Sequence, residues 1–233
     1  MNVAILCGGL GTRLQEVHSG CPKGLVPVAG RPFLHYQLDR LAATGVAGVV
    51  LCTGHLAAEY EAAFAGGYRG MAVDFSREST PLGTGGALKL AESFFDQNEV
   101  AVLNGDSYCE FDLKTLSELR TKTGAIAAMA LVHQENCDRF GRIERENGMI
   151  TRFEEKSTLA RPGKINAGVY LLDRSLVSEI PRDRPVSLEK ELFPAWIPRG
   201  IAAHELGGAF VDIGTPASLE EADRVLLDLV PPV

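Results

Sequence analysis

What most constrains this chain is a repeated switch between short, β-rich apolar runs and amphipathic helical stretches. Asn2 to Leu6 reads as a buried strand that opens into a glycine-rich loop. From Phe33 to Thr44, the residues Leu34, Leu38 and Leu41 fall on one helical stripe, and Gly45 is the stop signal. Val46 to Thr53 returns as a valine-rich strand, followed by a short alanine-rich helix and a strand over Met71 to Ser76. A helix from Thr84 to Phe95, a strand from Val100 to Leu103 and a helix from Asp112 to Thr121 continue the series. This alternation predicts an α/β fold, with a mostly parallel sheet and helices on both faces.

The middle of the chain changes character. Ala125 to Val132, Arg142 to Glu146, Ile150 to Glu154 and Ile165 to Leu172 are strand-like runs in succession, with Asn147-Gly148 as a hairpin turn. Antiparallel strands are therefore expected at one edge of the sheet. The tail is expected to close with a strand over Ala209 to Ile213 and a helix capped by Thr215, with Pro216 at its first position. Leu219, Ala222, Leu226 and Leu229 form that helix's buried stripe. With no linker, low-complexity tract or internal repeat, residues 1–233 are expected to form one domain.

Charge narrows the partners. The 23 basic and 30 acidic residues leave a net −7, which disfavours nucleic acid and anionic membranes. An anionic ligand would then be held by a few placed cations and a metal. Met1 to Arg13 lacks the basic start of a signal peptide, and the apolar run Ala125 to Val132 is too short to span a bilayer. The five cysteines, at 7, 21, 52, 109 and 137, include no C-x-x-C pair, so neither a disulfide framework nor a zinc site fits. A cytoplasmic protein with reduced thiols is expected.

The most informative stretch is Leu6-Cys7-Gly8-Gly9-Leu10-Gly11-Thr12-Arg13. Its glycines let the backbone approach a ligand, with N–H groups facing phosphate oxygens. At the carboxyl edge of a parallel sheet, nucleotides bind such loops. A dinucleotide fingerprint would need a further glycine where Leu14 stands, and the pair Gly163-Lys164 is followed by Ile165, so no P-loop is present. Arg13 and Lys23 flank the loop and suit a polyphosphate. Pro81-Leu82-Gly83-Thr84-Gly85-Gly86 at a helix start offers open backbone to a flat base edge. Asp106 follows an apolar strand through Asn104-Gly105, and Asp212 ends another, so the two carboxylates are candidate ligands for a shared Mg²⁺. Glu154-Glu155-Lys156 and Asn166-Ala167-Gly168 offer a carboxylate, a cation and an amide to a sugar phosphate.

In this order, the segments resemble the sugar-phosphate nucleotidyltransferase family over nearly the whole chain. Within it, the resemblance is greatest to the D-glycero-D-manno-heptose 1-phosphate guanylyltransferases, which make GDP-heptose for surface polysaccharides. The mannose-1-phosphate guanylyltransferases are near. The resemblance implies a Rossmann-like three-layer α/β/α sandwich, with antiparallel additions at the sugar-binding side. No hexapeptide repeats are present, so a β-helix domain is not expected. The resemblance implies that Leu6, Gly8, Gly9, Gly11, Thr12, Pro81, Gly83, Thr84, Gly85 and Asn104 meet the nucleotide, with Arg13 and Lys23 on its phosphates. It implies Asp106 and Asp212 as Mg²⁺ ligands, with Arg13, Lys23 and Asp106 serving catalysis. Gly141, Glu154, Lys156 and Asn166 would meet the sugar phosphate. Two positions depart from the pattern. Gly24 follows Lys23 where proline is usual, and Thr80 replaces a glutamate common in guanylyltransferases, leaving Glu78 to accept from guanine N1 and N2.

The expected partners are GTP and a sugar 1-phosphate, with room for a homo-oligomer. Uridylyl or thymidylyl transfer is the rival within the class. A nucleotide-sugar-sensing regulatory subunit is the rival outside it.

Overall fold

The computed structural model describes residues 1–9, 11, 20–138, 140–154, 161–182 and 184–228. The first half of the chain runs β1 (Asn2–Leu6), β2 (Pro27–Val28), β3 (Arg31–Pro32), α1 (Leu34–Ala43), β4 (Gly48–Thr53), α2 (Ala57–Phe64), β5 (Ala72–Arg77), α3 (Gly83–Leu90), β6 (Glu99–Asn104), β7 (Ser107–Cys109) and α4 (Leu113–Thr123). The second half runs β8 (Ala127–Gln134), β9 (Ile143–Glu146), β10 (Met149–Phe153), β11 (Gly163–Asp173), α5 (Arg174–Glu179), α6 (Phe193–Trp196), β12 (Ile201–Glu205), β13 (Phe210–Asp212) and α7 (Pro216–Leu227).

Among the described residues the main sheet has nine strands, in the order β5-β4-β1-β6-β11-β8-β12-β10-β9. The strands β5, β4, β1 and β6 are mutually parallel, as the alternation predicts. β11 runs antiparallel to β6 and to β8. It lies in the middle of the sheet, not at the edge where antiparallel strands were expected. The reason is burial on both faces: Ala167, Val169, Tyr170, Leu171 and Leu172 are all sealed from solvent. The hairpin β9–β10 does form an edge, turning at Asn147 and Gly148 with φ of 49° and 81°.

Period-two alternation sends the strand side chains to opposite cores. On one face Val3, Ile5 and Leu103 pack with Leu38 of α1, Phe64 of α2 and Leu116 of α4. On the other, Ala4, Val50 and Val102 pack with Leu88 of α3, Leu176 of α5 and Trp196 of α6. This is the three-layer arrangement. A third cluster joins α7, through Leu219, Ala222 and Leu226, to Val26, Val28, Tyr108 and Val211. The caps follow local chemistry: Asp112 accepts the Lys114 N–H at 2.9 Å, and Thr215 and Ser218 form a capping box. Among the described residues, no helix is long and apolar enough to cross a membrane.

Candidate active site

The register of the parallel strands brings three loops to one edge. Leu6 pairs with Asn104 on one side and Cys52 on the other, so β1, β4 and β6 end together. Main-chain bonds continue past the strands: the Cys7 N–H donates to the Cys52 carbonyl at 2.8 Å, and the Gly105 N–H to that of Leu6 at 3.0 Å. The loops after β1 and β6, with residues from Glu78 to Ala87, line a cavity of about 390 Å³. Glycine keeps the wall open: a Cβ on Gly105 would lie 2.8 Å from the Leu6 carbonyl oxygen and from Cys7 Sγ, and one on Gly8 would lie 2.8 Å from Glu78 Oε1, which also faces Gly54 behind the wall.

Glu78 is one acidic group of the cavity wall. Its Oε2 accepts the Leu82 N–H at 2.9 Å, and its Oε1 faces Gly8 and Gly54. Burial pushes its pKa up, and the Leu82 N–H partly offsets that. The same lining carries an ion pair. Lys23 Nζ donates to Asp106 Oδ2 at 2.5 Å, from a short 3₁₀ turn over Lys23–Leu25. The Ser107 hydroxyl donates to Asp106 Oδ1 at 3.2 Å.

A two-stranded ladder brings the main chain at Asp212 beside that at Asp106. β13 pairs with β7 so that Asp212 faces Ser107, and the Ile213 N–H donates to the Asp106 carbonyl at 3.0 Å. Asp212 Oδ1 accepts from the Gly214 N–H at 2.8 Å and the Ser218 hydroxyl at 3.0 Å, which fixes its rotamer. The hydrophobic cluster under α7 holds this ladder beside the main sheet.

Leu6, Gly8, Gly9, Lys23, Glu78, Pro81, Gly83, Thr84, Asn104 and Asp106 all line the cavity. Gly11, with φ +58°, lies beside the loop, its Cβ direction 3.6 Å from Lys23 Cβ. Gly85 is not on the cavity wall: its N–H donates to the Val186 carbonyl at 2.9 Å, and a Cβ there would press on Val186 and Leu192. Thr12, Arg13 and Lys156 fall outside the described residues.

The residues expected at the sugar lie around the start of β11. Asn166 Nδ2 donates to the Tyr170 hydroxyl at 2.6 Å, and its Oδ1 accepts the Gly168 N–H at 2.8 Å. Gly168, at φ +75°, brings that bend against Asn104, where a Cβ would sit 3.0 Å from Asn104 Cβ. Arg142 bridges to Ile165 and pairs with Glu154 at 3.4 Å, and a Cβ on Gly141 would collide with the Glu154 carbonyl at 2.7 Å. None of Gly141, Glu154, Asn166 and Asp212 is on the cavity wall itself; Asp212 lies beside Asp106 through the β7–β13 ladder, and the other three gather around the start of β11.

Two wall residues escape sequence reasoning. Glu189 sits on a π-helical turn over Leu188–Leu192 and accepts from the Thr84 hydroxyl at 2.8 Å. Tyr60 reaches the wall from the buried face of α2.

The profile of the nucleotidyl transferase family matches residues 2–228. The chain belongs to that family. This nucleotidyl transferase is 34% identical to the mannose-1-phosphate guanylyltransferase of Mycobacterium tuberculosis over 99% of its own length, but spans only 65% of that relative. It is 31% identical to the D-glycero-alpha-D-manno-heptose 1-phosphate guanylyltransferase of Aneurinibacillus thermoaerophilus, over 97% of this chain and 98% of that one. Among solved structures, HddC from Yersinia pseudotuberculosis complexed with GMP-PN superposes with a TM-score of 0.84 at 31% identity, covering 96% of this chain and 98% of that one.

Proposed function

We propose that this nucleotidyl transferase moves GMP from GTP to a sugar 1-phosphate, D-glycero-α-D-manno-heptose 1-phosphate, releasing pyrophosphate and making GDP-heptose. The observation that carries this is the cavity's lining, which brings a desolvated Glu78 and the Lys23–Asp106 pair to one space. A carboxylate on a glycine wall is complementary to the guanine N1 and N2 donors, which uracil and thymine do not match. The likeness to a heptose 1-phosphate guanylyltransferase and to HddC supports the sugar. The mannose enzymes give the second reading, favoured by their 34% identity.

A sugar 1-phosphate has a second pKa of roughly 6, so at neutral pH it is mostly a dianion and needs no general base. One of its oxygens attacks the α-phosphorus. The new P–O bond forms as the bond to the pyrophosphate oxygen breaks, and pyrophosphate departs in line. The obstacle is repulsion between anions. Lys23 offsets it from the cavity wall, and Arg13 and Lys156 belong to the same proposed set. Catalysis on this reading is positioning and electrostatics.

The donor set fits Mg²⁺. Asp106, just before β7, and Asp212, at the end of the paired β13, would supply hard oxygens. Among the described residues no group of three or more His, Cys, Asp or Glu side chains forms a metal cage. That suits a cation that takes one or two protein carboxylates and completes its shell from phosphates and water. When bound, the ion would neutralise charge on the triphosphate. A single domain, a cytoplasmic location and a role in capsule or other surface polysaccharide synthesis complete the proposal.

The test is a matrix of GTP, UTP, dTTP and ATP against heptose, mannose and glucose 1-phosphates, read by pyrophosphate release. GTP with the heptose is expected to be fastest. Tight GTP binding with no release in any pairing would favour the sensor and overturn the enzyme. A UTP or dTTP preference would overturn the role of Glu78.

A further inference from the structure

We propose that Tyr60 is a positioning residue for Lys23, and that Tyr60 and Gly24 act as one unit. Tyr60 is buried in the core under α2 and contributes to the cavity wall. Its hydroxyl oxygen accepts the buried Gly24 N–H at 3.0 Å. Cys7, just past the end of β1, lies within electrostatic reach of the same hydroxyl. The hydroxyl thus holds the turn that carries Lys23 beside the root of the glycine loop. Lys23 in turn holds Asp106 at 2.5 Å.

Residue 24 is glycine because of this contact and not because of its backbone angles. It is absent from the residues with positive φ, yet a Cβ there would lie 2.9 Å from Tyr60 Oη, 3.3 Å from Cε1 and 3.6 Å from the Gly105 carbonyl. Proline, the residue the family resemblance leads one to expect, has no N–H to donate, and its ring would add bulk in the space the tyrosine occupies. The chain therefore replaces the stiffness of a proline with a hydrogen bond to a buried tyrosine. A buried amide without that partner would be destabilising, so losing the hydroxyl releases the turn.

The catalytic half of this inference rests on the transferase reading; the structural half does not. Four proteins decide it: the unaltered chain, Tyr60→Phe, Gly24→Pro, and Gly24→Pro with Tyr60→Leu. In Tyr60→Phe, exchange of the Gly24 amide hydrogen should speed up by about tenfold or more. Its kcat should fall by about tenfold, with KM for the triphosphate within about twofold, because a misplaced cation loses transition-state contacts before ground-state ones. Gly24→Pro should lose about a hundredfold in kcat, and adding Tyr60→Leu should recover at least about tenfold by clearing the space. Unchanged Gly24 exchange in Tyr60→Phe, or a double variant no better than Gly24→Pro, would overturn the proposal. An unaltered chain without transferase activity would sink the function while the exchange measurement still judged the tether.

Discussion

Helix α3 separates two cavities that look alike until their polar groups are followed. The one at the strand ends, of about 390 Å³, meets α3 at Gly83, Thr84 and Ala87. The other, of about 670 Å³, meets it at Gly86, Lys89 and Leu90, and holds Arg174, Arg182 and Arg184 besides. By size and positive charge the second is the better place for an anion. Three of its four cations, Lys89, Arg182 and Arg184, are already engaged. Lys89 Nζ donates to the Val177 carbonyl at 3.2 Å, the Ser178 carbonyl at 2.8 Å and Glu92 at 2.9 Å. Arg182 takes the same Glu92 at 3.1 Å, and Arg184 takes Glu191 at 2.9 Å. The smaller cavity has glycine walls cut back around one carboxylate and a cation whose partner is itself a candidate ligand. A site is marked by backbone cleared for approach and by charges left to be matched, not by volume.

The largest expected effect tests whether the charge in the smaller cavity does chemistry. Asp106→Asn should lower turnover by at least about a hundredfold, the scale of losing one preorganised electrostatic contact. Pyrophosphate release at saturating Mg²⁺ measures it, and near-normal rates would remove Asp106 from the reaction. The matched change across α3, Arg182→Ala, should leave turnover within about twofold, since an exposed ion pair contributes little. Comparable losses from both would erase the distinction between the cavities.

Next in size is selectivity. Glu78→Gln keeps an acceptor for the Leu82 N–H but turns an acceptor into a donor on the Gly8 and Gly54 side. Preference for GTP over ATP should fall by about tenfold, as expected when one polar contact to the base is mismatched. Parallel pyrophosphate assays with the two triphosphates give the ratio. An unaltered ratio would place the base elsewhere.

The parallel half of the sheet was legible because period-two and helical stripes are local signals, and β1, β4 and α1 carry them strongly. The position of β11 was not, because a run of apolar residues says that a strand is buried and not which neighbours it takes. β12 was missed outright: Ile201-Ala202-Ala203 is short and alanine-rich, with weak strand preference, and it gains its place only by pairing with β8. The turns from Leu188 to Arg199 mix π, α and 3₁₀ geometry around Pro194 and Pro198, which hides any single period. The same divide runs through the site. Gly8, Lys23 and Asp106 sit in ordered motifs, whereas Glu189 reads as one charge in a polar run and Tyr60 as one aromatic on a core stripe. Both reach the cavity through tertiary contacts alone. Thr84 shows the limit from the other side. Its motif was visible, but its hydroxyl is engaged twice, donating to Glu189 and accepting the Leu188 N–H at 2.8 Å each, which no local pattern announces.

The smallest expected effect is also the sharpest comparison, because one glutamate in each cavity should answer pH with opposite sign. Glu92, on the Lys89 and Arg182 side, is held at about 2 in the folded chain, chiefly by its hydrogen bond from Lys89, against an ordinary value of 4.5. The unfolded chain therefore binds the proton first. The stability Glu92 contributes is fully present above 4.5 and is lost as pH falls through about 2. Burial raises the pKa of Glu78 instead, so there the folded chain binds the proton first, and stability declines as pH rises from 4.5 through the raised value. Urea unfolding across this range should show Glu92→Gln to be the less stable variant, by no more than about 1 kcal/mol given the exposure of Arg182, with its deficit closing in acid. Glu78→Gln should gain on the unaltered chain as pH rises above 4.5, because the amide removes the need to bury a charge. If both variants shifted in the same direction with pH, the contrast between a satisfied cavity and one awaiting a ligand would fail.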